Sequence, residues 1–412
     1  MGKIRGDFGL ILRLLVGIAI GICVGLWASN MSGVGEVAQT VPSSASNAVM
    51  QVVGSIKHIC GQFIFYAVPL VIIGFIAPSI TRLGKNASKM LVTAIGIAYL
   101  SSIGAAFFAM TLGYTFIPML ETPGRLDELI SLPDLLFRLD IPAPMAVMTA
   151  LVTAVVLGIT TLLTESKTFE TLLSEFERMV SMVVSYFIIP ILPLFVACVF
   201  AQMAYSGSLT KQLPVFLQVI VIAICGHFIW LAVLYGIAGL ISRRNPLEVA
   251  RHYGPAYLTA VGTMSSAATL PVALSCARKS KVLSRDTTDF IIPIGATIHL
   301  CGSVLTETLF CMTIAYLLTG VLPSVATMCL FAMLLGIFAI GAPGVPGGTV
   351  MASLGIVIAI LGFNEQGVGL LMAIFALQDS FGTACNVTGD GAIALMVDGI
   401  FNPKGEHLQD GS

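Results

Sequence analysis

Asp379, Thr383, Asn386 and Asp390 follow a 4-3-4 spacing, which places all four on one stripe of a helix. They lie in an apolar stretch of about 366–400. A carboxylate facing lipid there is costly, so the stripe must face protein, water or a cation. Two acids and two neutral oxygen donors on one face suit a hard monovalent cation together with an ammonium group. The plain alternative is a polar seam between packed helices. A third acid, Glu307, lies in a second apolar stretch, about 286–319. That stretch carries Pro293-Ile-Gly-Ala-Thr-Ile-His299, and Pro with Gly predicts local unwinding that frees carbonyls to ligate an ion. Met264–Thr269 and Gly341–Gly348 read as turns whose backbone N–H groups suit a carboxylate. An acid for an amine, N–H groups for a carboxylate and carbonyls for a cation together describe an ion-coupled amino-acid carrier.

The elements that must hold these residues are apolar. Of 412 residues, 57 % are hydrophobic and only 10 % charged, and mean hydropathy is +0.98. A soluble domain carries about 25 % charge. A soluble enzyme and a disordered chain are therefore excluded, and a polytopic membrane protein is expected. A net charge of −1 gives no basic surface for nucleic acid. The nine cysteines include no CxxC pair and the five histidines are scattered, so the cysteines read as small apolar fillers, with no metal cluster expected. An intramembrane aspartyl protease of the GxGD kind is disfavoured, because the motif position holds Val387 and the second aspartate shares the helix. Ser265 and Ser266 have no motif-linked histidine for a serine protease.

A bilayer span needs about 20 apolar residues. Six candidates come first, at about 8–29, 50–79, 88–120, 143–164, 179–206 and 214–241, with Arg13 and Lys57 near span ends where they can snorkel. The first reads as an anchored helix rather than a removed signal. Positive residues at Lys3/Arg5, Arg82–Lys89, Lys167–Arg178 and Arg243–Arg251 all fall on one side of six crossings, which predicts cytoplasmic N- and C-termini. The cluster Arg278–Arg285 returns to that side after too few residues for two full crossings, so a re-entrant hairpin turning at Met264–Thr269 is expected. The stretch 322–365 predicts a second hairpin from the opposite face, because no uninterrupted helix tolerates its Gly-Ala-Pro-Gly-Val-Pro-Gly-Gly tip. The fold class is then all-α and polytopic, with eight transmembrane helices and two oppositely oriented re-entrant helical hairpins, as inverted repeats give. Glu165, Glu170, Glu175 and Glu177 read as a solvated helix start, and Tyr253 as membrane-interface packing.

At these residues the chain resembles the dicarboxylate/amino acid:cation symporter family, over nearly its whole length. Four signatures run in order: Ser265-Ser-Ala-Ala-Thr-Leu-Pro271, Ile292-Pro-Ile-Gly-Ala-Thr297, Gly344-Val-Pro-Gly347 and Asn386-Val-Thr-Gly-Asp390. The resemblance implies an elevator-type homotrimer in the bilayer, with 1–79 and 121–206 as scaffold. Helix three (80–120), helix six (207–245) and a transport core (246–402) would move against it, ahead of a cytoplasmic tail, 403–412. It implies that Asn386 and Asp390, with carbonyls near Gly295, hold one sodium ion, and that carbonyls of Thr297 and Leu300, His299 in the same break, and the second hairpin near Ala339 make another. Asp379 matches the acid that takes the substrate amino group. Ser265, Ser266, Val345, Pro346, Gly347, Thr383 and Asn386 line the substrate. No cofactor is implied beyond sodium as coupling ion.

The departures from the family pattern carry the specificity. Acidic-substrate carriers have an arginine where this chain has Gly382, and a bracing acid where it has Phe375; the other arginine source is Met264. A side-chain carboxylate would then lack a partner, which costs several kcal/mol. A small neutral amino acid such as serine, threonine or alanine is expected, its size set near Gly382 and Ser303. The motif Asn-Met-Asp-Gly-Thr is here His299-Leu-Cys-Gly-Ser303. Losing the acid at Cys301 predicts fewer sodium ions per cycle. Glu307 falls where related glutamate carriers place a proton-carrying glutamate, so protons remain a second candidate coupling ion, with His299 beside it. A prokaryotic plasma membrane is the expected location.

Overall fold

The computed structural model describes residues 2–31, 44–82, 89–120, 132–342 and 347–403. Every regular element among them is helical: α1 Gly2–Met31, α2 Ser44–Arg82, α3 Lys89–Phe116, α4 Val147–Thr164, α5 Lys167–Val183, α6 Ile189–Ser206, α7 Ser208–Ser242, α8 Leu247–Ala250, α9 Gly254–Thr263, α10 Ser266–Ala277, α11 Arg285–Ile298, α12 Cys301–Thr319, α13 Val325–Gly341, α14 Gly348–Leu361 and α15 Glu365–Phe401. Seven stretches are long and apolar enough to cross a membrane: α1, α2, α3, α5 with α6, α7, α11 with α12, and α15. Helix α4 is apolar but shorter over its described residues. The polytopic all-α class expected from composition is therefore what the chain builds.

The span expected at 179–206 begins earlier. A helix starts at Lys167, capped by Ser166, and passes through a π-helical turn at Val184–Ile188 into α6. Its first half is amphipathic, with Glu170 and Glu175 exposed while Leu173 and Val180 are buried, so hydropathy alone places the start too late. Glu165 is not part of that helix start. It ends α4 in the left-handed region, at φ 53°.

Both helical hairpins form. Helices α9 and α10 pack against each other around Met264, at φ 51°, with Ser265 capping α10 by accepting from the Ala268 N–H at 3.2 Å. Helices α13 and α14 pair likewise, with α14 entered through Gly347 at φ 71°, a conformation glycine adopts without steric cost. The expected unwinding after Pro293 falls at His299–Leu300, between α11 and α12.

Two groups of helices pack closely within themselves and meet where α2 packs on α13 and α14 and α6 on α15. Helix α1 lies along α6, and α2 along α4 and α5. Helix α12 lies along α15 and α3, while α15 also lies along α7, α9 and α11. The α1–α6 contact uses small residues in the way of closely packed membrane helices: a Cβ at Gly21 would stand 2.1 Å from the Ala197 carbonyl oxygen. Helices α12 and α15 are almost wholly buried, whereas α1, α4 and α7 expose Leu, Ile, Val and Phe side chains as a lipid-facing shell would.

One polar cluster joins the neighbourhoods. His58 of α2 sits between Glu365 of α15 and Asp140, each at 3.2 Å. Gln62 Nε2 donates to Glu365 at 3.1 Å, and the Ile141 N–H donates to Gln62 Oε1 at 2.9 Å. A second network closes the other end of the core. Arg244, after α7, pairs with the fully buried Asp398 of α15, and Thr287 Oγ1 donates to the same carboxylate at 2.7 Å. Ser284 joins it through both its hydroxyl and its N–H.

Candidate functional site

The site is built where α11 breaks and α12 begins again beside α15. A helix start leaves its first N–H groups without intrahelical partners, and Leu300, the residue before α12, offers no side-chain cap. Asn386 supplies one from α15. Its Oδ1 accepts from the Gly302 N–H at 2.7 Å and the Ser303 N–H at 3.2 Å. Two backbone donors at one amide oxygen fix the orientation of the Asn386 amide. Its Nδ2 then points to Ser303 Oγ, at 2.9 Å. The helices approach closely enough for this because position 302 is glycine: a Cβ there would lie 2.4 Å from the Gly382 carbonyl oxygen.

Behind the break, on the α7 side, stands a residue that sequence reasoning missed. His227 is 1 % exposed, and its Nε2 lies 3.1 Å from the Gly302 carbonyl and 2.9 Å from Thr306 Oγ1. A carbonyl only accepts, so Nε2 carries the proton. A lone histidine in an apolar run gave no signal of this.

Asp390 lies one turn beyond Asn386. A Cβ on Gly295 would be 2.8 Å from Asp390 Oδ1, so this carboxylate rests against the end of α11. The same oxygen is 3.0 Å from His299 Nδ1, and His299 Nε2 is 2.9 Å from Ser101 Oγ of α3. His299, Asp390 and Ser101 are all buried. Of the span-three residues near this site, Ser101 is thus the one that reaches it, while the Tyr99 hydroxyl donates to the Met333 carbonyl at 3.4 Å. Thr297 is exposed, and its hydroxyl donates to Ile294 O at 2.7 Å. Leu300 and Ala339 are buried.

Asp379, a turn before Thr383, accepts from the Gly347 N–H at 2.7 Å and is thereby tied to the second hairpin. Thr383 and Ser266 are buried nearby in sequence order on their elements, at 4 % and 3 % exposure. Val345 and Pro346 lie outside the described residues. A Cβ built on Gly382 would meet Ser303 at 3.4 Å, an ordinary contact distance. Glu307 is fully buried and accepts from Ser353 of α14. Tyr253, expected at a membrane interface, is instead 1 % exposed and packs against Gly391 beside Tyr235, whose hydroxyl donates to the Thr388 carbonyl at 2.8 Å.

Residues 10–400 match the family model described as the sodium:dicarboxylate symporter family. The chain belongs to that family. Among similar proteins, excitatory amino acid transporter 2 of Mus musculus is 28 % identical over 234 residues, covering 55 % of this chain and 40 % of that protein. Excitatory amino acid transporter 3 of Mus musculus is 32 % identical over 169 residues, 41 % of this chain and 32 % of the relative. An excitatory amino acid transporter of Caenorhabditis elegans is 33 % identical over 156 residues, 38 % of this chain and 31 % of the relative. The matches thus span well under half the length of these relatives.

Proposed function

We propose that the protein couples sodium influx to uptake of a small neutral L-amino acid, of the serine, threonine or alanine kind, by an elevator movement in a homotrimer. The observation that carries this is the pairing of Asp379 with the second hairpin beside an α15 position, Gly382, that offers no cation for a side-chain carboxylate. Asp379 takes the substrate amino group. The Asn386 amide, with its oxygen committed to α12, presents N–H to the substrate carboxylate. Asp390 and carbonyls at the α11 break, Gly295, Thr297 and Leu300, take sodium; Asn386 contributes there through its main-chain carbonyl only. His299 occupies one oxygen of Asp390, which together with Cys301 in place of an acid supports a lower sodium count.

Helices α1, α2 and α4–α6 serve as scaffold, while α3, α7, both hairpins, α11–α12 and α15 move. The packing neighbourhoods support that division. Both termini face the cytoplasm of a prokaryotic cell. A second reading, proton-assisted transport, is favoured by Glu307, a buried acid whose neighbour is the neutral Ser353 of the second hairpin.

The test is uptake of labelled serine into proteoliposomes under an imposed sodium gradient at equal pH, against a potassium-only control. Sodium-dependent accumulation is expected. Transport of aspartate or glutamate but not serine, threonine or alanine would overturn the neutral-substrate reading. A reversal potential giving three sodium ions per substrate would overturn the lower count. Loss of the pH dependence of uptake in Glu307→Gln would support the proton-assisted reading; an unchanged dependence removes it.

A further inference from the structure

Lys57 was expected to snorkel to a membrane surface, and it does something else. Its ammonium turns into the protein and donates to Gln202 Oε1 at 2.5 Å. That contact uses Gln202 Oε1 as acceptor and directs the two amide hydrogens away from Lys57. Gln202 is 8 % exposed, so a positive charge and an amide donor meet where water is scarce. They open onto a narrow cleft between α2, α6, the start of α7 and the start of α15. Gln212 and Ser208, each 2 % exposed, line the same cleft, and Gln366 closes it from α15. Among the described residues, none that lines it is acidic. The acid next in sequence to Gln366 is Glu365, and its carboxylate is held by His58 and Gln62.

The Lys57 ammonium is part-buried and its hydrogen-bond partner, Gln202, is neutral, so it keeps N–H donors for an anion. Directional amide donors around it favour an anion with several acceptor oxygens over a spherical one. We propose that this cleft is a binding site for a tetrahedral oxyanion of the phosphate class, separate from the transport site and bridging α2 and α6 to α15. The same chemistry could be offered by free inorganic phosphate or by the phosphodiester of an anionic lipid headgroup. The apolar walls, Leu370 among them, suit the lipid source as well as the free ion. The proposal stands apart from the transported substrate, so its failure leaves the symport reading intact.

The experiment follows thermal unfolding of the full-length purified protein in detergent during titration with inorganic phosphate, with chloride as control at equal ionic strength. A saturable rise in midpoint with phosphate and none with chloride is expected. Lys57→Met and Gln212→Leu should each weaken the response at least tenfold, and Lys57→Arg should retain it. A second arm compares native mass spectra after extraction from vesicles of phosphatidylcholine with or without phosphatidylglycerol. Retained phosphatidylglycerol, displaced by phosphate and lost in Lys57→Met, assigns the headgroup; a phosphate response without retained lipid assigns the free ion. A response matched by chloride, or unchanged in Gln212→Leu and Lys57→Met, is a general salt effect and overturns the site, as does no response in either arm. Should Lys57→Met fail to fold, Gln212→Leu and Lys57→Arg decide the matter.

Discussion

At the residue scale, the site depends on Asn386 more than on its charged neighbours. Its amide oxygen pairs two backbone N–H groups that the broken helix cannot pair itself. Leaving buried donors unpaired costs about 1–3 kcal/mol each. Asn386→Ala should therefore lower the unfolding midpoint and abolish substrate-induced stabilisation; an unchanged midpoint would show that water replaces the amide. His227 is tested through a different readout. His227→Phe should raise KM for the proposed amino-acid substrate several-fold with little change in maximal rate, and His227→Gln, which can still donate to the Gly302 carbonyl, should recover part of it. Equal effects of the two substitutions would mean that His227 only fills space. The spacing of Asp379, Thr383, Asn386 and Asp390 was readable because a helix repeats every 3.6 residues. The side chains behind the site were not, since His227, which bonds Thr306, and Ser353, which bonds Glu307, come from two other helices and carry no local pattern.

At the element scale, the hairpins and the break after Pro293 were legible because Pro, Gly and runs of small residues forbid a continuous helix. The solvated helix start read around Glu170, Glu175 and Glu177 is the amphipathic first half of α5, with Lys167 rather than Glu165 as its first residue. Asp398 escaped notice. It lies near the end of α15 and looks like an interfacial acid, yet it is fully buried and pinned by Arg244, Ser284 and Thr287. Removing one member of a buried pair costs about 3–5 kcal/mol, while an apolar replacement of both costs far less. Arg244→Met and Asp398→Leu should each destabilise strongly by thermal unfolding, and the double variant less than the sum of the two. Additive losses would show that the pair acts through separate contacts.

At the scale of the whole molecule, composition alone excluded a soluble fold, and the exposed apolar shell agrees with that. The joint between neighbourhoods, His58 with Glu365 and Asp140, was invisible in sequence, because its members are separated by 82 and 307 positions or belong to an irregular segment. Arg138 donates to Asp140 at 2.9 Å and, through that hydrogen bond, holds the Asp140 carboxyl below the usual range. A carboxyl with a depressed pKa contributes above its unfolded value and loses that contribution as pH falls through the folded one. The Asp140 contact should thus persist into mildly acid solution and loosen only below the ordinary aspartate range, near about pH 4. Arg138→Gln should move that loosening to higher pH, read as faster hydrogen exchange at Ile141. An exchange profile unmoved by the substitution would mean that Gln62 holds the segment unaided.

The burial of α11–α12 and α15 also bears on how the chain is made. Of the most apolar window in each, 89 % and 83 % of residues are enclosed by protein, against 22 % in α1. These late spans carry Asp379, Asp390, His299 and Glu307 and have little surface to offer lipid. During synthesis α12 emerges before α15, and with it the N–H groups that only Asn386 completes. Helix α15 thus docks onto partners that the preceding spans supply. Nascent chains arrested before residue 386 should leave α12 accessible to water-soluble thiol reagents at Cys301, and chains arrested after α15 has cleared the ribosome should protect it.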